Sequence, residues 1–272
     1  MKNITLSALL LLTALFAGCK EIPPVIGECQ TDRVVVIEEF TGVRCVNCPT
    51  GSAKIVQLLE QFGERKLIAV SIHSGFFSVP YDISREDFTT QGGEAIDAQL
   101  GPVTAYPAAS INRKLFPNET QRPLSLSSWA GYIGGELCRA PELNINISKI
   151  FDPISRQLTA TVDLRAVTTN TIFAEPLGLT VYITENNIIS AQLDATGVDT
   201  NYVHKHVLRH IMTDTRGLQI HSSGSFSPNS QTLSYTLPAH WDAAQCHIVA
   251  FIHYRGANGK FDILQAAETE VE

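Results

Sequence analysis

Hydrophobic positions change their spacing along this chain, and each change predicts a different kind of element. Ile4 to Ala17 is one apolar run behind Lys2. Val34 to Phe40 (VVVIEEF) is a dense β-branched run and predicts a buried strand, as does Leu67 to Ile72. Between them Ala53, Val56, Leu59 and Glu60, with Ile55, Leu58 and Phe62, keep helical spacing until Gly63. Thr50 or Ser52 is the candidate cap of that helix. A looser stretch from Phe76 to Phe88 leads to a predicted helix from Gly93 to Leu100. The apolar strand Ala108 to Ile111 follows Tyr106-Pro107, and a last helix is predicted from Leu126 to Cys138. At Ala140-Pro141 the period becomes two. Leu143, Ile145 and Ile147 alternate with polar neighbours, as do Leu158 to Leu164, Leu177 to Ile183 and Leu233 to Leu237. Ile248 to Ile252 reads as a core strand, and Asn258-Gly259 as a hairpin turn before Phe261 to Leu264. With many short strands and no long helix, residues 141–272 predict an all-β sandwich.

Composition narrows the function classes. The 272 residues are 44% hydrophobic and 17% charged, enough to bury a sizeable core and too apolar for wholesale disorder. The formal charge is -7, and no block of lysine and arginine interrupts the chain. Binding to nucleic acid by phosphate neutralisation is therefore not expected.

The first apolar run is shorter than the roughly 20 residues of a membrane span. It reads as a signal peptide over residues 1–18. Its end, Leu15-Phe16-Ala17-Gly18-Cys19, resembles a bacterial lipobox. That resemblance implies cleavage before Cys19, lipidation of its thiol, palmitate included, and attachment to a bilayer without a spanning helix. Residues 19–30, with Pro23, Pro24 and Gly27, read as a tether.

Six cysteines are present, and an exported chain can form disulfides. Cys45 and Cys48 make a local C-x-x-C. Cys29, Cys138 and Cys246 are then an odd number, so at least one stays free or bonds elsewhere. A strand, a C-x-x-C at a helix start, a helix and a strand form a βαβ context, in which the pair reads as redox-active. Unpaired N–H groups at the helix start favour a thiolate on the first, more exposed sulfur. Cys45 is thus the candidate nucleophile and Cys48 the resolving thiol. A zinc site needs about four ligands, and no second C-x-x-C accompanies this one. A purely structural disulfide remains the alternative.

Residues 31–140 resemble the thioredoxin-like superfamily. The resemblance rests on the order strand, C-x-x-C, helix, strand, inserted helix, proline, strand, final helix. It implies that Pro107 is a cis-proline facing the dithiol, although a trans proline opening a strand would also fit. It implies that Tyr106 and Pro107 line the groove for an extended partner, and that Glu39 shuttles a proton to Cys48. Glu39 could equally be a salt-bridged or solvated strand residue; Glu38 points to the opposite face, so only one of the two can serve. Arg44 stands where the family often has tryptophan. It could favour the thiolate and contact substrate, or be an ordinary exposed residue. Val46-Asn47 replaces the Gly-Pro of thioredoxins.

In the second half, His204, His206 and His210 share one face if their segment is a strand. A metal site there would need an open face and a further ligand, so they read as surface or inter-strand residues, and no metal or other cofactor is expected. The immunoglobulin-like sandwich lacks the cysteine and tryptophan spacing of true immunoglobulin domains.

Taken whole, the chain resembles the Omp28-related outer-membrane lipoproteins of Bacteroidetes. The carrying residues are the lipobox, Glu38-Glu39-Phe40-Thr41-Gly42 leading into C-x-x-C-Pro, Tyr106-Pro107 with Asn112-Arg113, and His206-Val207-Leu208-Arg209. This implies attachment to the outer membrane, facing the periplasm or the cell surface. Two functions remain open. One is a membrane-anchored thiol–disulfide oxidoreductase acting on a protein thiol or disulfide partner. The other is a binding or adhesion lipoprotein whose disulfide is a staple.

Overall fold

The computed structural model describes residues 31–101 and 103–272. The expected signal peptide, Cys19 and the expected tether to residue 30 lie outside the described residues.

The first half runs β1 (Val35–Thr41), α1 (Cys48–Phe62), β2 (Leu67–His73), α2 (Gln91–Leu100), β3 (Ala108–Ile111), β4 (Leu124–Ser125) and α3 (Trp129–Leu137). The second half runs β5 (Leu143–Asp152), β6 (Gln157–Ala166), β7 (Ile172–Phe173), β8 (Leu177–Glu185), β9 (Ile188–Asp194), β10 (Gly197–His204), β11 (Val207–Ile211) and β12 (Leu218–His221). It ends with β13 (Gly224–Ser225), β14 (Asn229–Thr236), β15 (Cys246–Tyr254) and β16 (Ile263–Glu270).

Strands from both halves build one large sheet in the order β16-β15-β8-β11-β2-β1-β3-β4, with β12 also on β8. The two halves meet where β11 joins β2 in parallel at Val207 and Ser71, with Ser71 N–H donating to the His206 carbonyl at 2.7 Å. A second sheet, β14-β6-β5, packs on this one. Leu143, Leu158, Val162 and Leu164 from it share a buried core with Leu179, Val181, Ile248 and Ile252. Their period-two spacing is what one-sided burial requires.

The alternation expected of Leu177 to Ile183 does not produce a one-faced strand, for every residue of β8 is buried. The polar-looking face is covered by the first half. Tyr182, Val249 and Phe251 pack with Val36, Phe40, Val70 and Ile72 of β1 and β2. On the opposite face of β1, Val35 and Ile37 pack with Ile55 and Leu58 of α1 and Trp129 and Ile133 of α3.

Helix α1 starts at Cys48, earlier than Thr50 or Ser52 would cap it. Asn47 is the N-cap residue and makes no side-chain cap bond, with Pro49 in the first turn. Helix α2 starts at Gln91, because Thr90 Oγ1 accepts from Gly93 N–H at 2.9 Å. The last predicted helix shortens to Trp129–Leu137, preceded by a 3-10 turn. The three histidines do not share one strand face. β10 ends at His204, His206 has a φ of 55°, and His210 lies on β11. Of the odd cysteines, Cys246 is free and buried, and Cys138 is disulfide-bonded.

Candidate active site

β1 delivers the chain to Gly42, whose missing side chain lets the backbone of Phe77 approach; a Cβ there would sit 2.8 Å from Ser78 N. The chain then turns through Cys45 into α1. Cys45 N–H donates to Gly42 O at 3.0 Å and Cys48 N–H to Cys45 O at 3.2 Å. Cys45 and Cys48 are joined in a disulfide with Cα atoms 5.3 Å apart. Cys48 is 1% exposed. Cys45, expected to be the exposed member, is only 3% exposed.

The reason lies about 150 residues away in the chain. Among the described strands β9 and β10 pair only with each other, and they lie over the C-x-x-C turn. Gln192 Nε2 donates to the carbonyls of Gly42 and Cys45 at 3.3 and 3.1 Å. Leu193 N–H donates to Val43 O at 2.8 Å. At the other strand of this hairpin, Tyr202 bonds to Ser52 in α1. Sequence spacing held no signal for this cover, since nothing local marks Gln192 as a partner of Cys45.

Glu39 lies on β1 facing α1 and is fully buried. Its Oε1 lies against Gly51, and Gly51 also meets Pro107: a Cβ at residue 51 would fall 2.8 Å from Pro107 Cβ and Cγ. The first turn of α1, Glu39 and Pro107 therefore converge, and only glycine fits between them. The Tyr106–Pro107 peptide is cis. Glu39 Oε2 accepts from Ser71 Oγ at 3.2 Å, while Oε1 has no hydrogen-bond partner among the described residues. Burial pushes the Glu39 carboxyl up to about 8, against the smaller opposing effect of Ser71. Glu39 is thus neither salt-bridged nor solvated.

Tyr106 lies beside the site, its OH donating to Ser74 O at 3.3 Å and its ring 5.4 Å from that of Phe77. Burial and the nearby Asp97 push its phenol up to about 12. Arg44 is committed elsewhere than the dithiol. Its Nε and Nη2 donate to Val79 O and Pro80 O at 2.7 and 2.8 Å, and its guanidinium stacks over Tyr81. It pins the 76–81 loop beside the cysteines. Phe76, Val46 and Val79 remain exposed there, at 84%, 45% and 53%.

Behind the site, two further groups escaped sequence reasoning. Glu38, on the opposite face of β1, is held by Arg113 and Tyr182 in a fully buried cluster. His73 and His204 lie with Phe88 in a buried ring cluster, and burial holds His73 well below its ordinary value and His204 near 4. Among the described residues no group of three or more histidine, cysteine, aspartate or glutamate side chains is placed to hold a metal ion.

Comparison with known proteins gives the class. The profile of the outer membrane protein Omp28 family matches residues 94–271. The chain belongs to the Omp28 family, which puts it at the outer membrane. Among solved structures it is similar to HBP35 of Porphyromonas gingivalis, with 20% identity and a TM-score of 0.68 over 89% of this chain and 76% of that one. It is also similar to protein AGR_C_4864 from Agrobacterium tumefaciens, with 13% identity and a TM-score of 0.57 over 89% of this chain and 96% of that one. At these identities the likeness is one of fold. No curated protein sequence matches the chain. Among the described residues, no helix is long and apolar enough to cross a membrane.

Proposed function

We propose that this protein is an exported thiol–disulfide oxidoreductase, lipid-anchored through Cys19, built as a thioredoxin-like half joined to an immunoglobulin-like sandwich. The observation that carries the reading is a buried, uncompensated Glu39 packed with Pro107 against Gly51, in the first turn of the helix that begins at the Cys45–Cys48 disulfide. A structural staple has no use for an ionisable group under the helix, and burying one without a charge partner costs stability.

In the reduced protein the Cys45 thiolate attacks a partner disulfide and forms a mixed disulfide, expelling one partner thiolate. Cys48 loses its proton to Glu39 and attacks Cys45 Sγ. The Cys45–Cys48 bond re-forms and the second partner thiolate leaves. The reverse sequence oxidises a partner dithiol. The alternative, a binding lipoprotein with a stapled helix, is favoured by one observation, the hairpin bonded over Cys45. Trapping separates the two. In the membrane-attached full chain, Cys48→Ser should accumulate a mixed disulfide between Cys45 and a protein partner, and Cys45→Ser should accumulate none. Equal, negligible capture by both variants would leave the staple as the function of the pair.

A further inference from the structure

Glu39 has two faces. Oε1 lies against Gly51 in the first turn of α1, the turn that Cys48 begins. Oε2 accepts from Ser71 Oγ. The carboxyl itself is fully buried, so a proton taken from Cys48 has no direct way to water. Ser71 does have one. It lines a cavity of about 280 Å³ between α1 and β10, walled by Pro49, Ser52, Val56, Tyr202 and His206. Val56, Val203 and Lys205 at its margin are exposed, so the cavity opens to the surface. A serine hydroxyl accepts and donates at once, and can pass a proton without holding charge.

We propose that Ser71 is the proton relay of this site, carrying the proton of Cys48 from Glu39 Oε2 to water in the cavity between α1 and β10. The inference rests on the oxidoreductase reading. Its balance is simple. Cys48 Sγ–H gives its proton to the Glu39 carboxylate, and the thiolate forms a bond to Cys45 Sγ as the Cys45–partner bond breaks. The electron pair leaves on the partner thiolate. Glu39 then gives a proton to Ser71 Oγ while Ser71 gives its own to water.

The titratable and charged groups facing this route are Cys48 on α1, Tyr202 on β10, and Lys205 and His206 at the cavity. Burial, with His247 and Lys205 adding to it, lowers His206 to about 4, and burial raises Tyr202, so neither changes charge between pH 6 and 9. At the low end of that range Glu39 is protonated and must discharge before it can take the proton of Cys48. At the high end it is already ionised.

The test is stopped-flow reaction of the reduced full chain with 5,5′-dithiobis(2-nitrobenzoate), following the second thionitrobenzoate released as Cys48 resolves the adduct on Cys45. Ser71→Ala should slow that second release at least about tenfold near pH 6.5 and leave it within about twofold near pH 9. Ser71→Thr, which keeps the hydroxyl and has cavity space for its methyl, should restore the rate. An equal loss for Ser71→Ala at every pH, or no loss at all, overturns the relay while leaving the dithiol chemistry standing. Absence of any second release in the unsubstituted protein overturns the oxidoreductase reading, and the relay with it.

Discussion

Arg113 grips Glu38 through two hydrogen bonds of 2.8 Å, from Nε to Oε2 and from Nη2 to Oε1, with neither residue exposed to solvent. Tyr182 OH completes the cluster by donating to Glu38 Oε1 at 2.9 Å. Glu38 comes from β1 and Arg113 from just beyond β3, both in the first half, and Tyr182 comes from β8, so the cluster, through Tyr182, spans the junction of the two halves. Its neighbour Glu39 has no cation beside it among the described residues. One strand thus carries a neutralised carboxylate on one face and an unneutralised carboxyl on the other.

Removing one partner of the Arg113–Glu38 pair leaves a buried charge alone. Arg113→Met should cost about 3–5 kcal/mol, measured by urea denaturation at neutral pH. Tyr182→Phe should cost about 1–2 kcal/mol, since it removes only a hydroxyl. The double variant Glu38→Leu with Arg113→Met should recover much of the single loss. A double variant as unstable as the sum of both singles would contradict the pairing.

Glu39 makes stability depend on pH in the opposite sense from a salt-bridged carboxylate. Its folded value near 8 lies above the ordinary value of about 4.3, so the folded state holds one more proton between those limits. Stability is therefore present at low pH, falls as pH rises toward 8, and levels off above it. Glu39→Gln mimics the protonated form and lacks this slope. The variant should gain on the natural protein by at most about 4 kcal/mol between pH 5 and pH 8, read from denaturation curves at both. Parallel pH profiles for the two proteins would refute the buried, uncompensated state.

The hairpin over Cys45 should govern access to the disulfide. Gln192→Ala removes two hydrogen bonds to the C-x-x-C turn. At about 1 kcal/mol each, their loss should speed reduction of the Cys45–Cys48 disulfide by dithiothreitol at least about fivefold. Unchanged reduction kinetics would mean that the hairpin already lifts freely.

Much of this was legible locally. The apolar run into C-x-x-C-Pro marks β1 and α1, because a buried strand and a helix start each leave a local pattern. The cis Tyr106–Pro107 and the placement of Glu39 followed from a family resemblance. What escaped was set by distance in sequence. Gln192 and Tyr202 carry no mark of Cys45 and Ser52. Glu38 and Arg113 are charged residues that composition assigns to the surface until each neutralises the other. Tyr182 looked like part of a polar face because the covering half was absent from the pattern. The histidine segment misled because period-two spacing continues through Lys205-His206, where the backbone turns left-handed and separates β10 from β11.

A working dithiol at Cys45 and Cys48 differs from a staple in its acidity. The iodoacetamide alkylation rate of the reduced full chain against pH, with the modified cysteine identified by mass spectrometry, reads that difference. Cys45 should be alkylated first and titrate well below the ordinary thiol value of about 8.5, stabilised by the start of α1. Alkylation of Cys45 that rises only at or above that value, or no preference for Cys45 over Cys48, would contradict it and leave the pair as a covalent staple at the helix start.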